Sequence, residues 1–273
     1  MPSFRMLTCG DIHLNTDLLL RAFSLAQETK IDLIIFVGDF CEGAKLPETA
    51  SSSDFLRQAQ LVIELIKKIT IPIFFVLGNH DPPELATKLD QIYHLTDLHD
   101  QNIDFHNYKF AGIGGSHFIV PQLVNNTLPF LEGIFPAVID IGPNLEHVRT
   151  LTRNGVTQYI YSGVHIQYQD LFPCDVLVSH TPPMLPSNGN YQMASVGLYQ
   201  LISCYKPLLS ISGHVHTPDT HVEVLEWSRG ASQAKTTLLH LGSLDGGKVG
   251  LVEFSRSEKC LERIEMVHLS SQP

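Results

Sequence analysis

Apolar residues gather in short unbroken runs along this chain, and most runs stop at glycine or at a polar side chain capable of chemistry. Phe4 to Thr8, Leu33 to Val37 and Ile73 to Leu77 are the first three. Their length and lack of alternation predict strands buried on both faces. Between them the period changes. Leu18, Ala22, Leu25 and Ala26 repeat at helical spacing behind Asn15 or Thr16 as a cap, and Phe55, Ala59, Val62, Ile63 and Ile66 do so behind Ser53. Strands alternating with helices predict a sheet covered on both faces, with parallel connections in this part of the chain.

The stretch "NIDFHNYKFAGIGG" reads as two short strands turning at His106-Asn107, and "DVLVSH" (175–180) as another core strand. Leu198, Leu201, Ile202 and Tyr205 form one stripe of a helix capped by Ser195 and stopped by Pro207. "LLSISGHVH" is a further strand, and "HVEVLEW", "TTLLHLGSL", "KVGLVEFS" and "LERIEMVHL" read as successive β-segments. Residues 117–172 are broken up by Pro121, Pro129, Pro136 and Pro143; a short helix near Leu145 to Arg153 is the reading there. With no repeat and no linker, one domain over 1–273 is expected, with 117–172 as an insertion that carries specificity.

Composition narrows the function. The net charge of −10 disfavours an extended nucleic-acid footprint. No run approaches the ~18 apolar residues of a membrane span. The five cysteines, at 9, 41, 174, 204 and 260, form no CxxC pair. Neither a zinc knuckle nor a redox motif is therefore present, and the scatter fits a reducing compartment. The N-terminus carries no apolar leader segment, so a cytoplasmic protein is expected.

The chemistry sits where the strands end. Asp11 and His13 follow the first run, Asp39 the second, and Asn79, His80 and Asp81 the third; "DVLVS" delivers His180, and "LLSISG" delivers His214 and His216. Ligand sites of open α/β sheets lie beyond the carboxyl ends of strands. An extended backbone at Asp11-x-His13 and His214-x-His216 would turn both side chains of each pair to one side. Leaving out His80 and Asp81, seven O- and N-donors are too many for one tetrahedral centre and suit two metals sharing a carboxylate. Imidazole with carboxylate favours first-row transition ions such as manganese, iron or zinc. No cysteine joins them, which argues against a structural zinc.

The ordered set "GDIH", "GDF", "GNHD", "SH" and "GHVH", spanning residues 10 to 216, resembles the calcineurin-like metallophosphoesterase superfamily, and within it the phosphodiesterase-type branch. The resemblance implies a four-layer α-β-β-α sandwich of two mixed β-sheets flanked by helices. It implies one metal on Asp11, His13 and His216, a second on Asn79, His180 and His214, and Asp39 bridging them. It also implies His80 facing the substrate phosphate as proton donor, with Asp81 orienting its ring. The implied activity is hydrolysis of a small phosphodiester by a hydroxide shared between two divalent ions, manganese first and iron, zinc, nickel or cobalt as substitutes. A phosphomonoesterase or nucleotide phosphatase on the same site, and a non-catalytic metal-binding interaction module, are the alternatives. The other histidines, among them His94, His99 and His240, carry no spacing signal and are expected in loops or at the surface. The loop "TPPMLPSNGN", with Asn188 and Asn190, is expected to wall the mouth of the site.

Overall fold

In the computed structural model the described residues are 3–42, 52–82, 84–115, 148–153, 156–161, 171–183, 194–216, 221–229 and 232–269. The first part of the chain lays down β1 (Phe4–Cys9), α1 (Thr16–Glu28), β2 (Leu33–Phe36), α2 (Ser52–Ile66), β3 (Ile73–Phe75), α3 (Glu84–Asp90) and β4 (Leu95–Asp97). A hairpin of β5 (Asn102–Phe105) and β6 (Tyr108–Ile113) follows, its corner at His106 and Asn107 in left-handed backbone. Then come β7 (Val148–Arg153), β8 (Val156–Tyr161), β9 (Val176–Ser179), α4 (Val196–Tyr205) and β10 (Leu209–Ser212). The chain closes with β11 (His221–Arg229), β12 (Ser232–His240), β13 (Lys248–Phe254) and β14 (Leu261–His268).

Two mixed six-stranded sheets result. The first runs β14-β13-β1-β2-β3-β4 and the second β11-β12-β10-β9-β6-β5. In the first, β1 to β4 are mutually parallel while β13 runs antiparallel to β1. In the second, β6, β9, β10 and β12 are parallel.

Side-chain alternation explains the layering. Phe4 and Met6, Leu33 and Ile35, and Phe74 and Val76 point inward and share one apolar core with Phe110, Val176, Val178, Leu209 and Ile211 of the second sheet. The intervening residues, Leu7, Ile34, Phe36, Ile73 and Phe75, pack with Leu19 and Phe23 of α1 and Phe55, Val62 and Ile66 of α2. Leu198, Leu201 and Ile202 of α4 join Ala111, Ile113 and Leu177 of the second sheet in that outer apolar set. The expected α-β-β-α sandwich is the fold observed. The central strands β2, β3, β9 and β10 are buried throughout, so uninterrupted apolar runs are what their position requires.

Two of the expected caps close their helices, whereas Ser53 lies inside α2, one residue past its start at Ser52. Asn15 Oδ1 accepts the Leu18 N–H at 3.1 Å, and Ser195 Oγ accepts the Leu198 N–H at 3.0 Å.

One expected element is corrected. The stretch read as a helix near Leu145 to Arg153 contains β7, paired in register with β8 from Val148↔Tyr161 to Arg153↔Val156. Val148, Thr150, Thr152, Val156, Thr157 and Tyr159 favour a pleated surface, and Asn154-Gly155 between the two runs is a hairpin signal. Two short elements, α3 and β4, were not anticipated. Residues 184–193, with Asn188 and Asn190, lie outside the described residues. Among the described residues no helix is long and apolar enough to cross a membrane.

Candidate metal centre

Strands from both sheets point their carboxyl ends at one rim. Beyond β1 lie Asp11 and His13; beyond β2, Asp39; beyond β3, Asn79, His80 and Asp81. Beyond β9 lies His180, and beyond β10 lie His214 and His216. Seven of these nine side chains come together as donors. Ligand-capable atoms of Asp11, His13, Asp39 and His216 lie within 4.8 Å of one another, and so do those of Asp39, His180 and His214. Asp39 belongs to both groups. Asn79 joins the second through its Oδ1, 2.9 Å from His180 Nε2.

The local backbone differs from expectation. Extended pairs were expected, but Asp11 (φ 52°), His13 (φ 44°), Asp39 (φ 54°) and His214 (φ 71°) are all left-handed. Asp and His enter this region more readily than most residues, yet each entry costs roughly 1–2 kcal/mol. Hydrogen bonds hold two of these segments: Asp11 N–H donates to Gly38 O at 2.9 Å, Ile12 N–H and His13 N–H donate to Asp39 O at 2.8 and 3.0 Å, and His214 N–H donates to the Asp11 carboxylate at 3.0 Å. Convergence of each pair is thus set by tight turns and not by strand pleat. Gly78 is a steric necessity, since a Cβ there would lie 2.1 Å from Asp39 Oδ1 and 2.6 Å from Asp39 N. Gly38 combines φ +102° with an equally close approach to Gly78 N.

The electrostatics call for positive charge at the rim. His180 Nδ1–H donates to Val37 O at 2.6 Å, which fixes the ring and leaves Nε2 facing Asn79 Oδ1 and, at 3.4 Å, Asp39 Oδ2. In a neutral imidazole three lone pairs would meet in a dry pocket, which is strongly unfavourable without a proton or a cation among them. Burial disfavours the imidazolium, yet the Asp39 carboxylate beside it pushes the His180 pKa up to about 9. Burial likewise opposes ionisation of Asp39, but His180, His80 and His13 hold its carboxyl well below the usual range. His13 Nδ1–H donates to Cys41 O at 3.2 Å, so its Nε2 faces His216 Nε2 at 3.1 Å. His216 Nε2 also lies 3.1 Å from Asp11 Oδ1, a contact that raises the His216 pKa. Imidazole and carboxylate donors oriented by backbone carbonyls fit borderline divalent transition ions.

His80 is partly exposed beside this cluster. Its N–H donates to Asp39 Oδ1 at 2.9 Å, and its ring centre lies 5.2 Å from that of His13. Asp81 is buried, and the hydrogen bonds described for it run to the backbone: Oδ1 accepts the Cys41 N–H and Oδ2 the Gly78 N–H, both at 2.9 Å. Burial, then the neighbouring Asp39 charge, raises its pKa. These bonds tie the Asp39 loop to the Asn79 loop.

His94 and His99 lie in loops, as expected, the first buried and the second partly so, while His240 is corrected from a loop or surface position to the end of β12. His94 is buried, with its Nε2 3.3 Å from Ile66 O at the end of α2. His99 accepts the Gly114 N–H at 3.0 Å, and burial lowers its pKa. His240 donates from Nε2 to Val215 O at 2.8 Å, inside the His214–His216 turn. Ser243, also unforeseen, donates its hydroxyl to Asp11 O at 3.1 Å. No ligand-type spacing marks either His240 or Ser243 in the sequence.

The family profile of calcineurin-like phosphoesterases matches residues 4–218. Among solved structures, a protein of Thermus thermophilus superposes with a TM-score of 0.58 at 16% identity, over 98% of this chain and 99% of that one. A dimetal phosphatase from Danio rerio does so with a TM-score of 0.52 at 12% identity, over 99% and 100%. No curated protein matches the sequence significantly.

Proposed function

The chain belongs to the calcineurin-like phosphoesterase family, and from that premise we propose that it is a binuclear metal-dependent hydrolase cleaving a small phosphodiester. The observation that carries the reading is the membership of Asp39 in both donor groups. Asp11, His13 and His216 with Asp39 would hold one divalent ion, and Asn79, His180 and His214 with Asp39 the other. Manganese is the first choice, and iron, zinc, nickel or cobalt are chemically admissible. Two such ions, when bound, would bring the pKa of a water near neutrality and offset the negative charge of the ester.

The chain's own residues supply the remainder. Asp39 anchors the His80 backbone, so the partly exposed imidazole is delivered to the rim without a long flexible tether. There it would give a proton to the departing oxygen, a role that matters most for poor leaving groups such as alkoxides. Asp81 would serve by fixing the loop on either side of His80, through the Cys41 and Gly78 amides. We assign a single domain to 1–273, with 117–172 governing substrate choice. A cytoplasmic setting is supported by five free cysteines.

Initial rates on bis(p-nitrophenyl) phosphate and p-nitrophenyl phosphate, with Mn²⁺ added and with EDTA as control, test the reading. An EDTA-sensitive rate with a strong diester preference is the expected result. A monoester preference would replace the phosphodiesterase by a phosphatase on the same residues. No turnover on either ester, with metal bound and the protein folded, would leave a binding module.

A further inference from the structure

The Asp11–His13–His216 pocket is the more open of the two. His216 is 46% exposed, so packing does not fix its ring. Its position depends on its carboxylate neighbour and on the peptide that precedes it. That peptide is held from an unexpected direction. His240, at the end of β12, donates Nε2–H to Val215 O, and the Leu241 N–H donates to Ser212 O at 2.9 Å. The carbonyl locked by His240 belongs to the peptide unit that leads directly into His216.

Three residues further on, the same segment reaches the other half of the pocket. Ser243 Oγ–H and the Asp245 N–H both donate to Asp11 O, at 3.1 and 3.3 Å, and the Leu244 N–H donates to Gly10 O at 2.8 Å. Asp245 is fastened in turn by Asn15 Nδ2 at 2.9 Å, and Asn15 caps α1. The carbonyls of Gly10 and Asp11 flank a ligand in left-handed backbone, so these bonds fix a turn that the Asp11 residue would not hold by preference. The segment from 240 to 245 lies outside the residues matched by the family profile.

We infer that His240 and Ser243 are positioning residues that hold the Asp11 and His216 loops in register, and so set metal affinity selectively at the Asp11–His13–His216 pocket. The inference rests on the two-metal reading above. Removing an outer partner that orients a ligand costs about 10–100-fold in metal affinity. A loss confined to one of two pockets separates positioning from general destabilisation.

The test is a Mn²⁺ titration of the metal-free full chain by calorimetry, with free Mn²⁺ read by electron paramagnetic resonance. His240→Leu and Ser243→Ala are placed in two backgrounds: Asn79→Ala, which cripples the second pocket, and His216→Ala, which cripples the first. In the Asn79→Ala background each is expected to weaken the remaining binding by about 10–100-fold. In the His216→Ala background neither should change it. His240→Gln keeps a donor near Nε2 and should restore most of the affinity. Two ions bound by the parent, with unchanged affinity in both variants, would overturn this inference alone. Equal weakening in both backgrounds, together with a fall in metal-free Tm, would also overturn it, as a merely structural role. No ion bound by the parent chain would overturn the two-metal reading and this inference together.

Discussion

The two ends of β1 sit in opposite environments. At its start, Phe4 stacks or edges against Phe105, Tyr108, Phe110 and Phe254, with ring centres 5.6 to 6.3 Å apart. The phenol oxygen of this cluster, Tyr108 Oη, lies 2.6, 3.0 and 3.3 Å from the carbonyls of Ser255, Glu258 and Cys260. Beyond the other end, Asp11 opens a rim where buried carboxylates and imidazoles crowd together on left-handed backbone. Each aromatic pair contributes about 0.5–1.5 kcal/mol beyond its buried area. Each left-handed non-glycine residue costs a comparable amount. The aromatic end therefore offsets the left-handed backbone of the candidate metal rim, and both are linked by a strand six residues long.

The largest contrast is expected from Asp39→Asn. Removing the shared carboxylate should lower metal content at both pockets and reduce phosphodiester hydrolysis to background, while the metal-free protein still folds. Metal analysis alongside circular dichroism checks this, and retention of two tightly bound ions would contradict the shared-ligand role. His80→Ala comes next. A fall in kcat of about 10²–10⁴ is expected, steeper for alkoxide than for p-nitrophenolate leaving groups, with metal content unchanged. A uniform loss across leaving groups would remove the proton-donor role.

Tyr108→Phe perturbs the opposite end. It strips the hydroxyl from the carbonyls around it and should cost about 1–3 kcal/mol in chemical denaturation, without altering kcat per folded molecule. An altered kcat would show that the two ends are not separable.

The smallest effect is expected at Asp97, which ends β4 at the metal rim but is not among the donors. Burial raises its pKa to about 6, against a counteracting His99 N–H and a reinforcing Asp90 charge. The folded state thus binds this proton more tightly than the unfolded chain does. The associated stability is present below the unfolded value near 3.8 and is lost as pH rises through about 6. Asp97→Asn should therefore raise Tm at pH 7.5, with the gain shrinking toward pH 4. A pH-independent gain would rule out titration of Asp97 as its cause.

What could be read from the sequence follows the same division. The candidate donors were legible because a buried strand gives a continuous apolar run, and a polar side chain placed at its end stands out against that background. Asp39 after "LIIFVG" and His180 after "DVLVS" are examples. β4 was not legible, since three residues show no period, and seven residues of α3 show barely more. The β7–β8 hairpin did carry a signal in Asn154-Gly155, outweighed by the prolines upstream. His240 and Ser243 act through backbone carbonyls of residues far away in sequence, and no local pattern encodes such a contact. The left-handed backbone of Asp11 and His13 was hidden for a related reason: their N–H groups are held by the carbonyls of Gly38 and Asp39, which lie in another loop.

The span of chain that the rim closes has a consequence in time. His216 meets Asp11 across 205 residues, and His13 across 203. Each side of that contact belongs to a different sheet, so neither sheet alone presents a complete donor group. Closure over such separations comes late, after local strand–helix units have formed. The ability to capture an ion should therefore mark the last step of refolding. Added metal should slow unfolding by mass action on the native state, while leaving the early folding phases at the same rate.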